Sequence, residues 1–239
     1  MAGRFNPAPL ALLLLSGSLV MLFFVILSGE SRHTPLRQTY FLRAETAGMS
    51  PDARPITQWT FFRVCGLNNQ NCSPARPARA LGDAWGRLRE GDVDGAFEDL
   101  IGKHGGGSTS DYYWYMWRFA WVFYLIALFF EVVAWFTGWL GFIGRLGNAV
   151  AGLVSTIALV FLTVAVSLMT ATFVKLRNAF HDENREAALG RYAFGFSWGS
   201  FTALFIATIL FCMGMRKSKD GSPRSRFFNR PGRVKNEYA

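Results

Sequence analysis

Apolar side chains dominate four long stretches of the chain, and polar segments separate them. The stretches are residues 10–29, 119–144, 146–174 and 192–215, and together they contain a single charged side chain, Glu131. A helix that crosses the hydrocarbon core of a bilayer needs about 20 mainly apolar residues. The pattern therefore predicts four transmembrane helices rather than the cores of soluble domains.

The first stretch must be distinguished from a cleavable signal peptide, which also begins with a basic residue and continues with apolar ones. Arg4 fits such a start. The apolar run is longer than that of a usual signal peptide, however, and it ends without a clear small-x-small cleavage motif. We therefore expect a retained transmembrane span.

The long polar loop after the first span contains two kinds of pattern. Residues 39–46 and 56–64 are rich in Thr, aromatic and β-branched side chains, which is typical of strands. Between residues 78 and 101, apolar side chains recur at intervals of three and four, which indicates short amphipathic helices. We expect a small β-sheet with a helical flap.

Basic residues are concentrated at the C-terminal end of the chain. The net charge is +9, and residues 216–239 hold eight basic and two acidic side chains, whereas the loop at 30–111 holds ten of each. Lys and Arg beside a span mark its cytoplasmic end, and long loops cross the membrane largely regardless of charge. The tail is therefore expected in the cytoplasm, and with four spans the N-terminus lies there too.

Two cysteines, Cys65 and Cys72, lie in the loop that this orientation places outside the cell, where thiols at short separation usually pair. A bridge would close a loop of eight residues and stabilise the fold by about 2.5 kcal/mol. A metal site is the alternative, but it needs about four ligands. The outer loops offer only scattered histidines, so we predict a disulfide. The turn residues inside the bridge are Gly66, Asn68, Asn69 and Asn71, and the histidines are His33, His104 and His181.

The predicted fold is a membrane all-α four-helix transmembrane bundle that carries a small disulfide-stapled extracellular β-sheet. Its segments alternate between the two sides of the membrane. They are a cytoplasmic N-terminus (1–9), span one (10–29), an extracellular loop domain (30–111), span two (112–139), a cytoplasmic turn (140–147), span three (148–174), an extracellular loop (175–191), span four (192–215) and a basic cytoplasmic tail (216–239).

Small and hydroxyl-bearing residues recur along two of the predicted spans. In lipid, small residues let helices approach closely, and hydroxyls bond across the interface. These faces indicate either packing inside the bundle or lateral self-association. Both are compatible if one face packs inside the bundle and another contacts a second copy. The residues are Gly195, Gly199, Ala203 and Ala207 on span four, and Thr156, Thr163, Ser167 and Thr170 on span three.

The tail carries more positive charge than a topology signal needs. Each basic residue near an anionic leaflet contributes about 1 kcal/mol to binding, so we expect the tail to contact anionic phospholipids. Its basic residues are Arg216, Lys217, Lys219, Arg224, Arg226, Arg230, Arg233 and Lys235.

Four motifs follow one another in the order of a known family. WTFFRVCGLNN with the following CSP resembles an outer-loop signature, and PLRQTYFLRAETAG precedes it. DYYWYMWRF marks the second span, while TATFVKLRNAF and Leu189-Gly190 follow the third. Over residues 10–215 the chain resembles the fungal eisosome tetraspan proteins of the Sur-seven/PalI family, which are more distantly similar to claudins.

The resemblance assigns structural roles to residues of the loops and of the outer span ends. Trp59 is expected to pack over the disulfide. Arg118 stands in an aromatic belt, where its guanidinium reaches the interface or bridges to Glu45 or Asp111. These residues are expected to dock the loop domain on the bundle, with ligand recognition as the alternative. The set that matches the family pattern is Trp59, Gly66, Arg118, Arg177, Asn178 and Phe180.

The resemblance implies a non-enzymatic organiser of the plasma membrane and cell wall that associates laterally with copies of itself and with other eisosome proteins. No catalytic motif, cofactor motif or nucleic-acid partner is indicated by the sequence. The alternatives are an accessory of ambient-pH signalling, which the short tail disfavours, and a small transporter. The transporter would use Glu131, because ionisable groups inside a span often mark ion paths.

Overall fold

The computed structural model describes residues 7–31, 33–49, 53–85, 100–142 and 144–216. Its four long helices are α1 (Ala8–Ile26), α2 (Asp111–Leu140), α3 (Arg145–Asp182) and α4 (Arg191–Arg216). Its strands are β1 (Leu42–Glu45), β2 (Ile56–Trp59), β3 (Val64–Cys65) and β4 (Ala187–Leu189). Short 3-10 turns lie at Leu36–Gln38, Leu67–Asn69 and Leu81–Ala84. All four long helices are apolar and long enough to cross a membrane.

The helices form a bundle in which α2 packs along α3, α3 along α4, α4 along α1, and α1 against α2. The buried residues of α2 alternate at spacings of four and three, and α3 has the same pattern. That seven-residue repeat is typical of left-handed helix pairs. On each seam, three positions spaced seven residues apart are alanine, which lets the two backbones approach closely. These alanines are Ala120, Ala127 and Ala134 on α2, and Ala151, Ala158 and Ala165 on α3.

The sheet joins both polar loops at one end of the bundle. Its strand order is β3-β2-β1-β4, and every neighbouring pair is antiparallel. Leu42 of β1 pairs with Trp59 on one side and with Leu189 on the other. Because β4 comes from the loop between α3 and α4, the sheet ties the first half of the chain to the second.

Three local expectations differ from the structure. The region 56–64 forms two strands instead of one, because Thr60 accepts from and donates to Arg63 in a tight turn. The loop expected at 175–191 is mostly helix, since α3 continues to Asp182 before β4 begins. Of the helices expected between 78 and 101, the described residues show one 3-10 turn at Leu81–Ala84, and residues 86–99 lie outside the described part.

Four membrane-length helices, a four-stranded antiparallel sheet and the Cys65–Cys72 bridge together form a tetraspan, claudin-like fold. The predicted fold class is confirmed.

Candidate functional site

The loop between β3 and Ser73 is a small knot closed by the predicted disulfide between Cys65 and Cys72. Gly66 donates its backbone N–H to the Gln70 carbonyl at 2.8 Å, and a Cβ on Gly66 would stand 3.2 Å from that oxygen. The chain turns inside the bridge through three asparagines with positive φ, a conformation that asparagine adopts more readily than most residues. They are Asn68, Asn69 and Asn71.

The knot is fastened to the end of the first span. Arg63 donates from two guanidinium nitrogens to the Glu30 carboxylate at 2.9 and 3.0 Å, in a bidentate pair. The side-chain amide of Asn69 donates to the carbonyls of Ser31 and Leu36. On the other flank, Arg54 is partly buried beside Arg79. Burial, and to a smaller extent the positive charge of Arg79, lowers the pKa of Arg54. The disulfide thus constrains the entry from α1 into the sheet.

We expect the double variant Cys65→Ser/Cys72→Ser to lose about 2.5 kcal/mol of stability, because the bridge restricts the unfolded chain. Thermal unfolding in detergent, followed by tryptophan fluorescence, measures the loss. Cys212→Ser is the matched control, since Cys212 is a free, half-buried cysteine of α4. Mass spectrometry that finds free thiols at both Cys65 and Cys72 in unreduced protein would contradict the bridge.

Trp59 packs against Trp85 and against Phe180 of α3, and this contact joins the sheet to α3. We call the three residues the aromatic seat. The ring centroid of Trp59 is 6.1 Å from the ring centroids of both Trp85 and Phe180. The indole N–H of Trp59 donates to the Leu81 carbonyl at 3.0 Å, and that of Trp85 donates to the Ser108 carbonyl at 3.1 Å. All three side chains are buried, and both indole N–H groups have an acceptor.

The expected packing of Trp59 over the disulfide is wrong. Gln58 is the residue that pairs with Cys65, whereas Trp59 pairs with Val64. Successive side chains of a strand point to opposite faces of the sheet. The Trp59 ring therefore faces the bundle, and the bridge lies on the other face.

A second aromatic cluster lies below β1, at the top of the bundle. Phe41 stacks on Phe173 of α3 with ring centroids 5.3 Å apart, and it meets Trp117 of α2 and Phe194 of α4 edge-on. All but Phe194 are fully or almost fully buried. Phe41, the residue just before β1, thus contacts three helices. The sequence did not reveal this role because its three partners resemble ordinary span residues.

The arginines of the family motif, Arg118 and Arg177, lie near the sheet-side ends of α2 and α3. The Arg118 guanidinium carbon stands 3.6 Å from the centre of the Trp114 ring, a cation–π contact. Among the described ion pairs, none joins Arg118 to Glu45 or Asp111, and Asp111 instead contacts His104 at 2.8 Å. Arg177 donates to the side-chain oxygen of the adjacent Asn178. The expected carboxylate bridge of Arg118 is therefore not the contact that the structure shows.

The small residues of α4 do not share one face. A Cβ on Gly199 would meet the Met21 sulfur of α1 at 3.0 Å, whereas a Cβ on Gly195 would meet no atom within 4 Å. Ala207 is fully buried and Ala203 is half-buried. A spacing of four residues rotates the position by about 40° per step around a helix. The stripe consequently begins on the open surface and ends inside the bundle.

The hydroxyl residues predicted as a packing face of α3 are exposed or half-buried, whereas Ser155 and Thr172 are the buried hydroxyl residues of this helix. Thr156, Thr163 and Thr170 each donate to the carbonyl four residues earlier in their own helix, and Ser167 is exposed. They therefore bond within α3 and not across a helix interface.

Other polar side chains make the contacts between helices. The Ser18 hydroxyl of α1 lies 2.8 Å from that of Ser200 on α4, and Tyr124 of α2 donates to Ser197 at 2.8 Å. These residues could have been found from the seven-residue spacing of the buried positions.

Glu131 occupies a buried position of the α2 seam. It is fully buried, with Ser18 as its polar neighbour, and both carboxyl oxygens lack a hydrogen bond to the described residues. Transporters bind ions where helices are broken, whereas each span here is one continuous helix over its described residues. Glu131 therefore shows burial without the surrounding features of a transport path.

The basic tail, for which the sequence predicts contact with anionic phospholipids, lies beyond the described residues apart from Arg216.

Comparison with known proteins completes this description. The sequence profile of the SUR7/PalI family matches residues 7–210. The chain belongs to the SUR7/PalI family. The match includes the disulfide knot, the sheet and nearly all of the four spans, so this family member is a multi-pass membrane protein.

Individual relatives of this family member agree over the same region. Protein SUR7 of Candida albicans is 34% identical over 206 residues, which are 85% of this chain and 72% of that protein. Protein SUR7 of Saccharomyces cerevisiae is 30% identical over 83% of this chain and 64% of its own length. YNL194C, a plasma membrane protein of the same yeast, is also 30% identical, with the same coverage. The chain thus spans less than two thirds of these two yeast relatives.

Proposed function

We propose that this SUR7/PalI family member is a non-enzymatic organiser of the plasma membrane that supports eisosome-like membrane domains and the cell wall. The observation that carries the proposal is the double aromatic attachment of the sheet. Phe41 contacts three helices and Trp59 contacts Phe180 of α3. A domain held in this way moves with the bundle as one body, which suits a protein that arranges its neighbours.

The plasma membrane location is supported by the relative that is named a plasma membrane protein. We place the sheet outside the cell and both termini in the cytoplasm, because the basic tail marks the cytoplasmic side. The knot then stands in the oxidising compartment, which suits a disulfide. The sheet faces the cell wall in this arrangement.

Lateral self-association is the second part of the proposal. The outward face of α4 carries Gly195, with open space beside it, together with the exposed side chains of Trp198 and Phe205. A glycine on such a face lets a second helix approach closely. Copies of this chain are the proposed partners there, and other eisosome proteins are the further candidates.

We expect Gly195→Leu to reduce the oligomer to smaller species and to disperse its cortical patches while the fold is kept. Light scattering after size-exclusion chromatography in mild detergent gives the oligomer mass, and imaging of a tagged copy shows the patches. Gly17→Leu is the matched control, because Gly17 of α1 also has open space beside it. Gly199→Leu is expected to destabilise the fold itself, since it would collide with Met21. Unchanged mass and patches in Gly195→Leu would exclude this face as the interface.

Anionic phospholipids are the proposed partners of the tail. We expect a peptide of residues 216–239 to bind vesicles that contain phosphatidylserine and to release them as salt rises, because the attraction between exposed charges is screened. Sedimentation with neutral and anionic vesicles across a salt series measures the binding. Equal binding to both vesicle types would reduce the tail to a topology signal.

A further inference from the structure

A positively charged hollow lies beside the start of α4 and is separate from the aromatic seat. Its volume is about 450 Å³. Three arginines line it from three different elements: Arg37 from the 3-10 turn after α1, Arg43 from β1 and Arg191 from α4. We call this cavity the arginine hollow. None of its described lining residues is acidic.

The three arginines are not neutralised by the described part of the chain. The ion pairs found there are Arg63–Glu30, Arg79–Asp83 and His104–Asp111, which involve none of the three. The Nε atom of Arg37 is buried and has no hydrogen-bond partner among the described residues. A buried donor without a partner costs about 1–3 kcal/mol, and more when it is charged. The buried Nε of Arg37, on a cavity that the exposed residues Arg43 and Arg191 also line, therefore indicates a site for an anion.

The backbone adds to the positive potential. The first turn of α4 borders the hollow through Arg191 and Tyr192, and the N–H groups of a first helical turn have no carbonyl partner within the helix. The helix dipole places partial positive charge at this end. Neutral polar side chains, among them Tyr40 and Gln58, also line the hollow.

The hollow lies at the depth of lipid headgroups. The helix α4 has 26 residues and is therefore about 39 Å long, which exceeds the hydrocarbon thickness of about 30 Å. Its first residues consequently stand at the sheet-side surface of the bilayer. Tyr192 is 49% exposed there, as expected for an interfacial aromatic residue.

We propose that the arginine hollow binds a phosphate group, carried either by an anionic lipid of the sheet-side leaflet or by free phosphate. The planar guanidinium presents paired N–H donors that match two phosphate oxygens. Arg37, Arg43 and Arg191 line the hollow from three different elements and would supply these donors.

The test uses the full chain in detergent with three soluble probes: dioctanoyl phosphatidylglycerol, inorganic phosphate and the phosphate-free dioctanoylglycerol. Native mass spectrometry and thermal unfolding report binding. The test variant is Arg37→Gln/Arg191→Gln. The control variant Arg76→Gln/Arg177→Gln removes the same number of charges from residues outside the hollow. Both variants keep the basic tail, so binding by the tail is the same in both. Arg43→Gln is a second, milder variant at an exposed strand position, for use if the double variant does not fold.

We expect the hollow variant to bind the phosphate-bearing probe about tenfold more weakly than wild type, because charge-assisted hydrogen bonds are lost, while the control binds as wild type does. Binding of the lipid alone identifies a headgroup site, and binding of inorganic phosphate as well identifies a free-phosphate site. Equal binding by the hollow variant and the control, or equal binding of dioctanoylglycerol, would overturn the proposal.

Discussion

Gly190→Ala is expected to prevent accumulation of the folded protein. Gly190 lies between β4 and α4 and donates its N–H to the Phe41 carbonyl at 2.9 Å. A Cβ at this position would overlap the carbonyl oxygen of Tyr40. That obstacle is backbone and cannot move without breaking the pairing of β1 with β4, so the cost should exceed about 4 kcal/mol, the range of the most damaging substitutions.

The matched control for this variant is Gly17→Ala, in the interior of α1. Its Cβ would meet no atom within 4 Å, and alanine favours a helix over glycine by about 1 kcal/mol. Expression level and the fluorescence-detected elution profile in detergent compare the two variants. A monodisperse Gly190→Ala protein with wild-type melting temperature would show that the β1–α4 junction is looser than described.

Trp59→Ala is expected to cost about 3–5 kcal/mol, as large-to-small substitutions of buried aromatic residues do. The change removes the ring contacts with Trp85 and Phe180 and leaves the Leu81 carbonyl without its indole donor. Trp59→Phe keeps a ring but loses that hydrogen bond, so its cost should be smaller, about 1–2 kcal/mol.

Thermal unfolding in detergent measures these differences, and limited proteolysis shows whether the sheet is released from the helices. Trp139→Ala serves as the control, since Trp139 of α2 is 54% exposed and lies outside the proposed contact face of α4. We expect it to change stability by less than about 1 kcal/mol. If the Trp59→Ala and Trp139→Ala proteins unfolded alike, the contacts of Trp59 with Trp85 and Phe180 would not be what holds the sheet.

The bundle could be predicted because crossing a bilayer imposes a length and a composition that the chain displays openly. Strand β4 could not, since Ala187–Leu189 is only three residues long and carries no alternating pattern. Its pairing with β1 depends on tertiary contacts. The α2–α3 seam is visible in the sequence as alanines seven residues apart, whereas the small residues four apart on α4 predict a single face that the structure does not form.

The site was predictable where neighbours in sequence are neighbours in space. Cys65 and Cys72 are close along the chain, so their bridge followed from spacing and compartment. Phe180 could be named from the family motif, but its contact with Trp59 joins two residues that are far apart in the sequence. Arg37 and Arg191 carry no local signal that they border the same cavity.

The length of α3 has a mechanical consequence. Between Lys175 and Asp182 this helix continues past the predicted span for about 12 Å, and its side chains there support the sheet through Phe180. The sheet is thus mounted on a rigid lever whose longer arm is embedded in lipid. A sideways force on the sheet is transmitted as a change in tilt of the bundle, and the surrounding bilayer must deform to accommodate that tilt.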